Sequence, residues 1–317
     1  MISKQEITYW YTWAMLLKPL TTRRKNIIFS RCATHEPNIS IIELFEKEEL
    51  WEELNLSIDE QNCLREGKAN LKNNAIIVED LLNQGYDIVC IPREDIYYPQ
   101  VLKRRLREES PIVLFCRGNK DLLNVRCIAI VGSRDAEEGG KAQEFTKNIV
   151  TKEVAESRVI VSGGAKGVDQ WALNQTIEAD GYSIMFIAQG ITTFNSGFKH
   201  FYKSLSNGKL LIVSTFPPKA PWNQGFAMAR NTYIYGIAEE IYVAQSNTSG
   251  GTWEGALNGI KRDLPVCVRY PDISEKKREG NIGLIKKGAL AVDIKGDSLE
   301  VPKCCFSTTI DTQQSLF

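Results

Sequence analysis

Two short loops combine glycine with a cation, which is a combination suited to holding phosphate. The first is Gly132-Ser133-Arg134. Its glycine permits a sharp turn, its serine offers a hydroxyl, and its arginine presents a planar fork of donors. The second loop contains the candidate residues Ser162, Gly163, Gly164, Lys166 and Gly167. Its glycines allow close backbone approach, and the free amides that begin the next helix attract an anion. For each loop, a tight turn without a ligand is the alternative.

Two later segments extend the pattern. Arg230 and Asn231 lie in a predicted helix that precedes the strand at Ile241. A solvated side chain is the alternative for a single helical arginine. Ser249 and Gly250 follow a predicted strand and open a helix, which repeats the anion-loop arrangement. Because four such segments belong to one predicted sheet, we predict that they form one anion site.

Several common chemistries do not fit these loops. No Gly-Lys-Ser/Thr ends the second loop, so it is not a Walker A loop, and Gly132 lacks the spaced glycines of a dinucleotide fingerprint. The chain has no Cys-x-x-Cys pair and only two histidines, which argues against structural zinc. Asp169 and Glu254 are the main carboxylates of the strand-end loops. We therefore expect no catalytic residues, no cofactor, no metal site, and no metal-dependent nuclease or ATPase activity.

The elements that must position these loops alternate along the chain. Apolar runs occur at 127–131, 159–161, 184–188, 210–213, 240–243 and 265–268, with helical segments between them. Such alternation is typical of a parallel sheet covered on both faces, whose ligands bind at the carboxyl ends of the strands. Residues before 85 show helical patterning without a clear strand. The sequence thus predicts an α/β protein with a helical domain at 1–85, a sheet domain at 86–300 and a flexible tail at 301–317.

The composition is that of an ordinary globular protein. The chain has 317 residues, of which 43% are hydrophobic and 25% charged. Lys plus Arg and Asp plus Glu each number 39, so a polyanion site must concentrate positive charge locally. Eight cysteines without metal-type spacing indicate the reducing cytoplasm. The aromatic stretch Tyr9–Leu17 is too short to span a bilayer, so we predict a buried helix and no membrane partner.

Taken in order, the segments Ile128–Arg134, Ser162–Asp169, Arg230-Asn231 and Ser249-Gly250 resemble the DprA/Smf family of DNA-processing proteins, over about residues 80–290. The resemblance implies an extended Rossmann-like fold and a positively charged pocket for single-stranded DNA. It also implies a homodimer that helps to load a RecA-type recombinase. By the same resemblance, phosphate contacts fall to Arg134, Lys166 and Arg230, while the pocket is shaped by Ser133, Gly163, Gly164 and Asn231.

The chain departs from the family pattern at particular positions. Leu173 stands where the family usually has histidine, and Thr232 stands where it usually has a second arginine. We also expect no appended winged-helix domain. Natural transformation is the role that the resemblance implies for the family, and these departures favour instead a specialised paralogue with a role in mobile elements or antiphage defence. Two alternatives stay open. One is a sensor or hydrolase of a nucleotide-derived ligand, on a fold related to the phosphoribohydrolases of the LOG family, with Glu254 as acid or ribose ligand. The other is an antitoxin-like partner-binding protein.

Two further sets of residues are candidates for contacts. The aromatic side chains of Trp171, Phe226, Tyr233 and Tyr235 could stack on bases, although core packing is the commoner role of each. The end of the sequence resembles the Gln-x-Ser/Asp-Leu-Phe peptide that binds the bacterial sliding clamp. In that peptide Gln313 would make polar contacts, while Leu316 and Phe317 would enter an apolar pocket. Folding of these residues back onto the protein is the alternative.

Overall fold

The first part of the chain is helical. The computed structural model describes residues 2–83, 88–194 and 198–300. Within the first range it contains α1 (Lys4–Met15), α2 (Thr22–Thr34), α3 (Ile41–Glu46), α4 (Leu50–Glu53), α5 (Ile58–Ala69) and α6 (Leu71–Asn83). Ser40 begins α3 and Ser57 begins α5, each with a reciprocal capping box. The predicted aromatic helix is α1, whose Trp10 and Trp13 are buried. The helical interpretation of this region is therefore confirmed.

Nine strands in the described ranges form one sheet. They are β1 (Ile88–Pro92), β2 (Val113–Gly118), β3 (Cys127–Val131), β4 (Val159–Ser162), β5 (Ser183–Phe186), β6 (Leu210–Ser214), β7 (Glu240–Val243), β8 (Val266–Arg269) and β9 (Leu290–Val292). Their order across the sheet is β1-β2-β6-β5-β4-β3-β7-β8-β9. The six predicted runs are β3 to β8, all parallel, and their ends agree within two residues. The parallel sheet is thus confirmed, with one correction: β1 and β2 form an antiparallel edge.

Helices cover both faces of the sheet, as predicted. The remaining helices are α7 (Gln100–Leu106), α8 (Lys141–Ala155), α9 (Val168–Glu178), α10 (Phe198–Ser206), α11 (Gln224–Ile237), α12 (Gly251–Lys261) and α13 (Glu279–Lys286). Successive residues of a strand point to opposite faces. In β3, Ile128 and Ile130 pack with α8 and α9, whereas Ala129 and Val131 pack in the core that contains residues of α7, α11, α12 and α13.

The helices before residue 83 share a core with the sheet. Residues of α1 to α6 belong to the same buried cluster as Phe115 of β2 and Ile212 of β6. Tyr11 of α1 meets Phe115 edge to face, with ring centroids 6.1 Å apart. The helices therefore cover one half of a sheet face, beside α8 and α9. The division of the chain at residue 85 stays a prediction.

The topology brings the predicted loops together. From β3 the chain builds β4, β5 and β6 on one side and then returns to place β7, β8 and β9 on the other. Beyond β3 and β7 the chain consequently runs to helices on opposite faces, α8 and α12, and leaves a crevice at the carboxyl edge, where ligands of open α/β sheets bind. The loop after β4 borders the same crevice.

Candidate functional site

Glycine is required where the first two loops touch. The amide of Ser133 donates to the carbonyl of Gln245, at 2.8 Å, which joins the loop after β3 to the loop after β7. A Cβ at Gly132 would lie 2.6 Å from the side chain of Val168, at the start of α9. Gly167 has a φ of +82°, and its Cβ would lie 2.5 Å from the carbonyl oxygen of Ser133. The small residues thus let α9 begin directly against the end of β3.

The arginine of α11 is buried rather than solvated. Arg230 is only 4% exposed, and its Nη2 lies 3.3 Å from Oδ2 of Asp169 on α9. Its guanidinium packs directly on Gly163, where a Cβ would lie 0.9 Å from Nη1. Among the described residues, Nε and Nη1 of Arg230 have no hydrogen-bond partner. The arginine therefore holds two buried donor atoms that are unpaired, which is rare enough in a folded protein to need an explanation.

The buried pair of charges is only partly compensated. Burial raises the pKa of Asp169, because a carboxylate is poorly solvated there, and the nearby guanidinium of Arg230 opposes the rise. Burial likewise lowers the pKa of Arg230, against the attraction of Asp169. An anion beside Nε and Nη1 would supply the missing partners and favour the charged arginine. The arrangement is therefore suited to accepting a phosphate.

Two adjacent cavities open at this edge of the sheet. The first, which we call the switch-point cavity, has a volume of about 260 Å³, and its lining includes the predicted residues Gly132, Ser133, Arg134, Arg230, Asn231, Ser249 and Gly250. The second, the glycine-loop cavity, has a volume of about 230 Å³, and its lining includes the predicted residues Arg134, Gly163, Gly164, Lys166 and Arg230. Arg134 and Arg230 line both cavities, so each of them can face a ligand that spans the two.

Two predicted residues lie outside these cavities. The hydroxyl of Ser162 is fully buried and donates to the carbonyl of Ile130, at 2.7 Å, so it joins β4 to β3. Gly167 lines a larger groove of about 850 Å³ between α8 and α9, together with Arg134 and Lys166.

Asn231 lines the switch-point cavity and also donates to the carbonyl of Gly251, at 3.0 Å, which holds α11 against the start of α12.

The two exposed cations of the site differ from the neighbouring carboxylate of Asp135 in whether they form an ion pair. Arg134 and Lys166 are exposed, and no ion pair of either side chain occurs in the described part of the chain. Asp135, next to Arg134, is instead paired with Lys277 at 2.5 Å, and this lysine lowers the pKa of the Asp135 carboxyl. The two carboxylates that line the switch-point cavity, Asp135 and Asp169, are thus each paired with a cation, while Arg134 and Lys166 stay open to a ligand.

The aromatic residues that border the two cavities are not those named from the sequence, although one of the latter, Trp171, lines the larger groove with Arg134 and Lys166. Trp222 is 52% exposed, and its ring lies 5.7 Å from Cζ of Arg134. Phe194 lines the same glycine-loop cavity. Of the aromatic candidates named from the sequence, Phe226 stacks on Phe216 at 4.1 Å and Tyr235 is 2% exposed, so both of them are packing residues. The sequence does carry a signal for Trp222: it follows a proline-rich turn and lies outside every apolar run, so a role in the core is not expected.

Other kinds of site find no candidate in the described ranges. Among those residues, no group of three or more His, Cys, Asp or Glu side chains is placed to hold a metal ion. The described cysteines are free thiols, and those of β1, β3 and β8 are buried. No helix of the part that the structure describes is long and apolar enough to cross a membrane. The predicted tail peptide at 313–317 lies outside the described residues.

Comparisons with known proteins agree on one family. The model of DNA recombination-mediator protein A matches residues 89–301. The chain is 31% identical over 215 residues to the DNA processing protein DprA of Bacillus subtilis, which covers 65% of this chain and 68% of that protein. It is 29% identical over 193 residues to DprA of Streptococcus pneumoniae, which covers 60% of this chain and 67% of that protein.

Solved structures show the same fold. The structure of DprA from Streptococcus pneumoniae has a TM-score of 0.61 at 22% identity, covering 86% of this chain and 94% of that one. The structure of DNA processing protein A from Helicobacter pylori, described for its single-stranded DNA binding mode, has a TM-score of 0.56 at 22% identity. It covers 65% of this chain and 91% of that one.

Proposed function

Because the chain belongs to the DNA recombination-mediator protein A family, as its resemblance to DprA/Smf predicted, we propose that it binds single-stranded DNA and mediates recombination without acting as an enzyme. The observation that carries the proposal is Arg230, which is buried with two unused donors beside the exposed cations Arg134 and Lys166. Backbone phosphates of a single strand would satisfy those donors and neutralise the cations.

Single-stranded DNA fits this site for two physical reasons. Net charge is zero over the whole chain, so long-range attraction is weak and a polyanion must be held by local contacts. The two cavities are adjacent and share Arg134 and Arg230, which suits a chain of phosphates better than one isolated anion. A flexible strand can follow this edge, whereas a rigid duplex presents its phosphates on a fixed helix.

The decisive experiment compares two charge reversals at the two ends of one β-strand. Arg134 follows β3, whereas Arg126 precedes it at the opposite end, where it is exposed and pairs with Glu239. Arg134→Glu should weaken oligonucleotide binding at least about tenfold. It should also make the salt dependence shallower, by about 0.7 in the logarithmic slope for each phosphate that the variant no longer neutralises. Arg126→Glu makes the same change in net charge and should have little effect.

Affinities would be measured by fluorescence anisotropy across a salt series. Equal losses in the two variants would mean that only overall charge matters, and unchanged binding by Arg134→Glu would show that the pocket assignment is wrong. Mononucleotides serve as competitors. Tight binding of a mononucleotide without binding of the oligonucleotide would favour the sensor hypothesis instead.

A mediator needs no catalytic group of its own, and we infer that the site has none. Asp169, the strongest carboxylate candidate of the loops, is buried and pairs with Arg230, so it is not presented to a magnesium ion. Magnesium-dependent cleavage of DNA by the purified protein, lost in Asp169→Asn, would contradict this inference.

The partners of such a mediator are further proposals. The family resemblance suggests a homodimer and a RecA-type recombinase, for which sedimentation and recombinase loading onto coated single strands are the measurements. The tail residues Gln313, Leu316 and Phe317 suggest docking on the bacterial sliding clamp. Titration of the clamp with the full chain and with a chain lacking 313–317 tests this. Equal binding by both, or by neither, would contradict the clamp hypothesis.

A further inference from the structure

Trp222 presents a large aromatic surface next to the phosphate site. It lies in the segment between β6 and α11, and about half of its surface is open to solvent. Its ring lies 5.7 Å from Cζ of Arg134 and lines the glycine-loop cavity, as Lys166 and Phe194 do. Exposure of an indole has a cost in water, since burial of such a ring would be favourable. The position beside two open cations therefore needs an explanation.

The loop that carries Trp222 is held in place by its neighbour. The hydroxyl of Thr192 donates to the carbonyl of Pro218, at 2.7 Å, and the hydroxyl of Thr193 donates to the carbonyl of Ala220, at 3.0 Å. The amide of Gly190 also donates to Ala220, at 2.8 Å. The stacked phenylalanine pair described above closes the base of the loop. The indole is thus presented by a fixed backbone, which lowers the entropy lost when a ligand stacks on it.

We propose that Trp222 is a stacking platform for an unpaired nucleobase of the strand whose phosphates contact Arg134. This inference rests on the function proposed above. Every base has a flat aromatic face, so an indole binds bases with little sequence preference. A base inside a duplex is already stacked and paired, so only an unstacked base can reach the platform. Trp222 would therefore add affinity for single strands over duplexes, which the cations alone cannot supply.

The experiment separates bases from phosphates. An oligothymidine and an abasic strand of equal length carry the same phosphates, but only the first has bases. Trp222→Ala should weaken binding of the oligothymidine about tenfold, which is within the range for loss of one base–aromatic stack, and leave binding of the abasic strand unchanged. Trp222→Phe keeps a ring and should retain most of the preference for oligothymidine.

The chain offers a matched control. Tyr182 is 45% exposed, and Nζ of Lys209 lies 5.7 Å from its ring, but this pair is at the amino end of β5, at the opposite edge of the sheet. Tyr182→Ala removes an equivalent aromatic–cation pair and should change neither affinity.

Two outcomes would overturn the platform while leaving the proposed function intact. One is an equal loss of affinity for both strands in Trp222→Ala, which would mean that the indole only positions Arg134. The other is equal binding of oligothymidine and abasic strand by the unaltered protein, which would mean that no base is contacted. If the unaltered protein binds neither strand, the proposed function fails, and the platform with it.

Discussion

Gly163 can be tested as the residue that makes room for the buried arginine. A Cβ at this position would lie 0.9 Å from Nη1 and 1.8 Å from Cζ of Arg230. Its φ is not in the left-handed region, so the backbone itself would accept alanine. Gly163→Ala therefore has one predictable effect, which is to displace the guanidinium from its place beside Asp169.

The size of the effect follows from what the guanidinium leaves behind. Asp169 is 6% exposed, and the 3.3 Å contact with Arg230 is its ion pair. Breaking a buried pair by removal of one partner typically costs about 3–5 kcal/mol of unfolding free energy. The displaced arginine can turn into the neighbouring cavities and regain solvent, so we expect a cost near the lower end of that range, about 3 kcal/mol, for Gly163→Ala. Single-strand affinity should fall as well, because the donors leave the site.

A double-mutant cycle isolates this cause. Arg230→Ala alone should cost about as much as Gly163→Ala, since both leave the carboxylate of Asp169 without its ion-pair partner. In the Arg230→Ala background the clash is gone, so Gly163→Ala should be neutral or stabilise by up to about 1 kcal/mol through the unfolded state. Urea unfolding of the four proteins measures the coupling. Additive costs, or a cost of Gly163→Ala below about 1 kcal/mol, would refute the reasoning.

The pH dependence gives an independent check of the same cycle. Burial already raises the pKa of Asp169, and loss of Arg230 removes the attraction that opposes the rise. Asp169 of the folded variant then keeps its proton at pH values at which the unfolded chain has already released it. Stability of Arg230→Ala relative to the unaltered protein should therefore fall as the pH rises from about 4, and the deficit should be smaller at about pH 5 than at about pH 7.

Two further predictions concern the loop contact and the helical part. In Gly190→Ala, the new Cβ would lie 2.1 Å from the carbonyl oxygen of Pro218, so the loop that carries Trp222 should separate from its neighbour. Single-strand affinity should fall severalfold, as measured by anisotropy. Lys25 is buried, which lowers its pKa to about 8, so the folded chain loses this proton before the unfolded chain does. Stability of the unaltered protein relative to Lys25→Met should therefore rise between about pH 8 and 10, as measured by urea unfolding.

The sequence was sufficient to predict the loops because each one follows an apolar run. Strands that are parallel must end at the same edge, so Arg134, Lys166 and Ser249 were expected together once the alternation of strands and helices was recognised. The antiparallel edge was not predictable in the same way. The strand at 113–118 pairs with the strand at 210–214, which lies far along the chain, and its apolar run is equally compatible with either orientation.

The burial of Arg230 could not be predicted from the residues around it in the sequence, because its contacts are with distant parts of the chain. Its carboxylate partner is 61 residues away, and the glycine on which it packs belongs to a third element. A single arginine in an amphipathic helix carries no sign of burial, because Lys and Arg usually face water there. The family resemblance assigns it to phosphate, and the structure shows a buried guanidinium with one ion pair and two unpaired donor atoms.

The balance of charge at the site bears on how a chain with no net charge would hold the proposed polyanion. Arg230 is offset by Asp169, and Asp135 is offset by Lys277, so these four groups contribute little to the long-range field. Arg134 and Lys166 supply the remaining positive charge, and counterion release from two contacts would give only a modest part of the proposed affinity. The rest would come from short-range contacts, namely the unpaired donors of Arg230 and the aromatic surface beside Arg134. Such contacts act only when phosphates and bases are free to adapt, so this division of the binding energy itself favours a single strand.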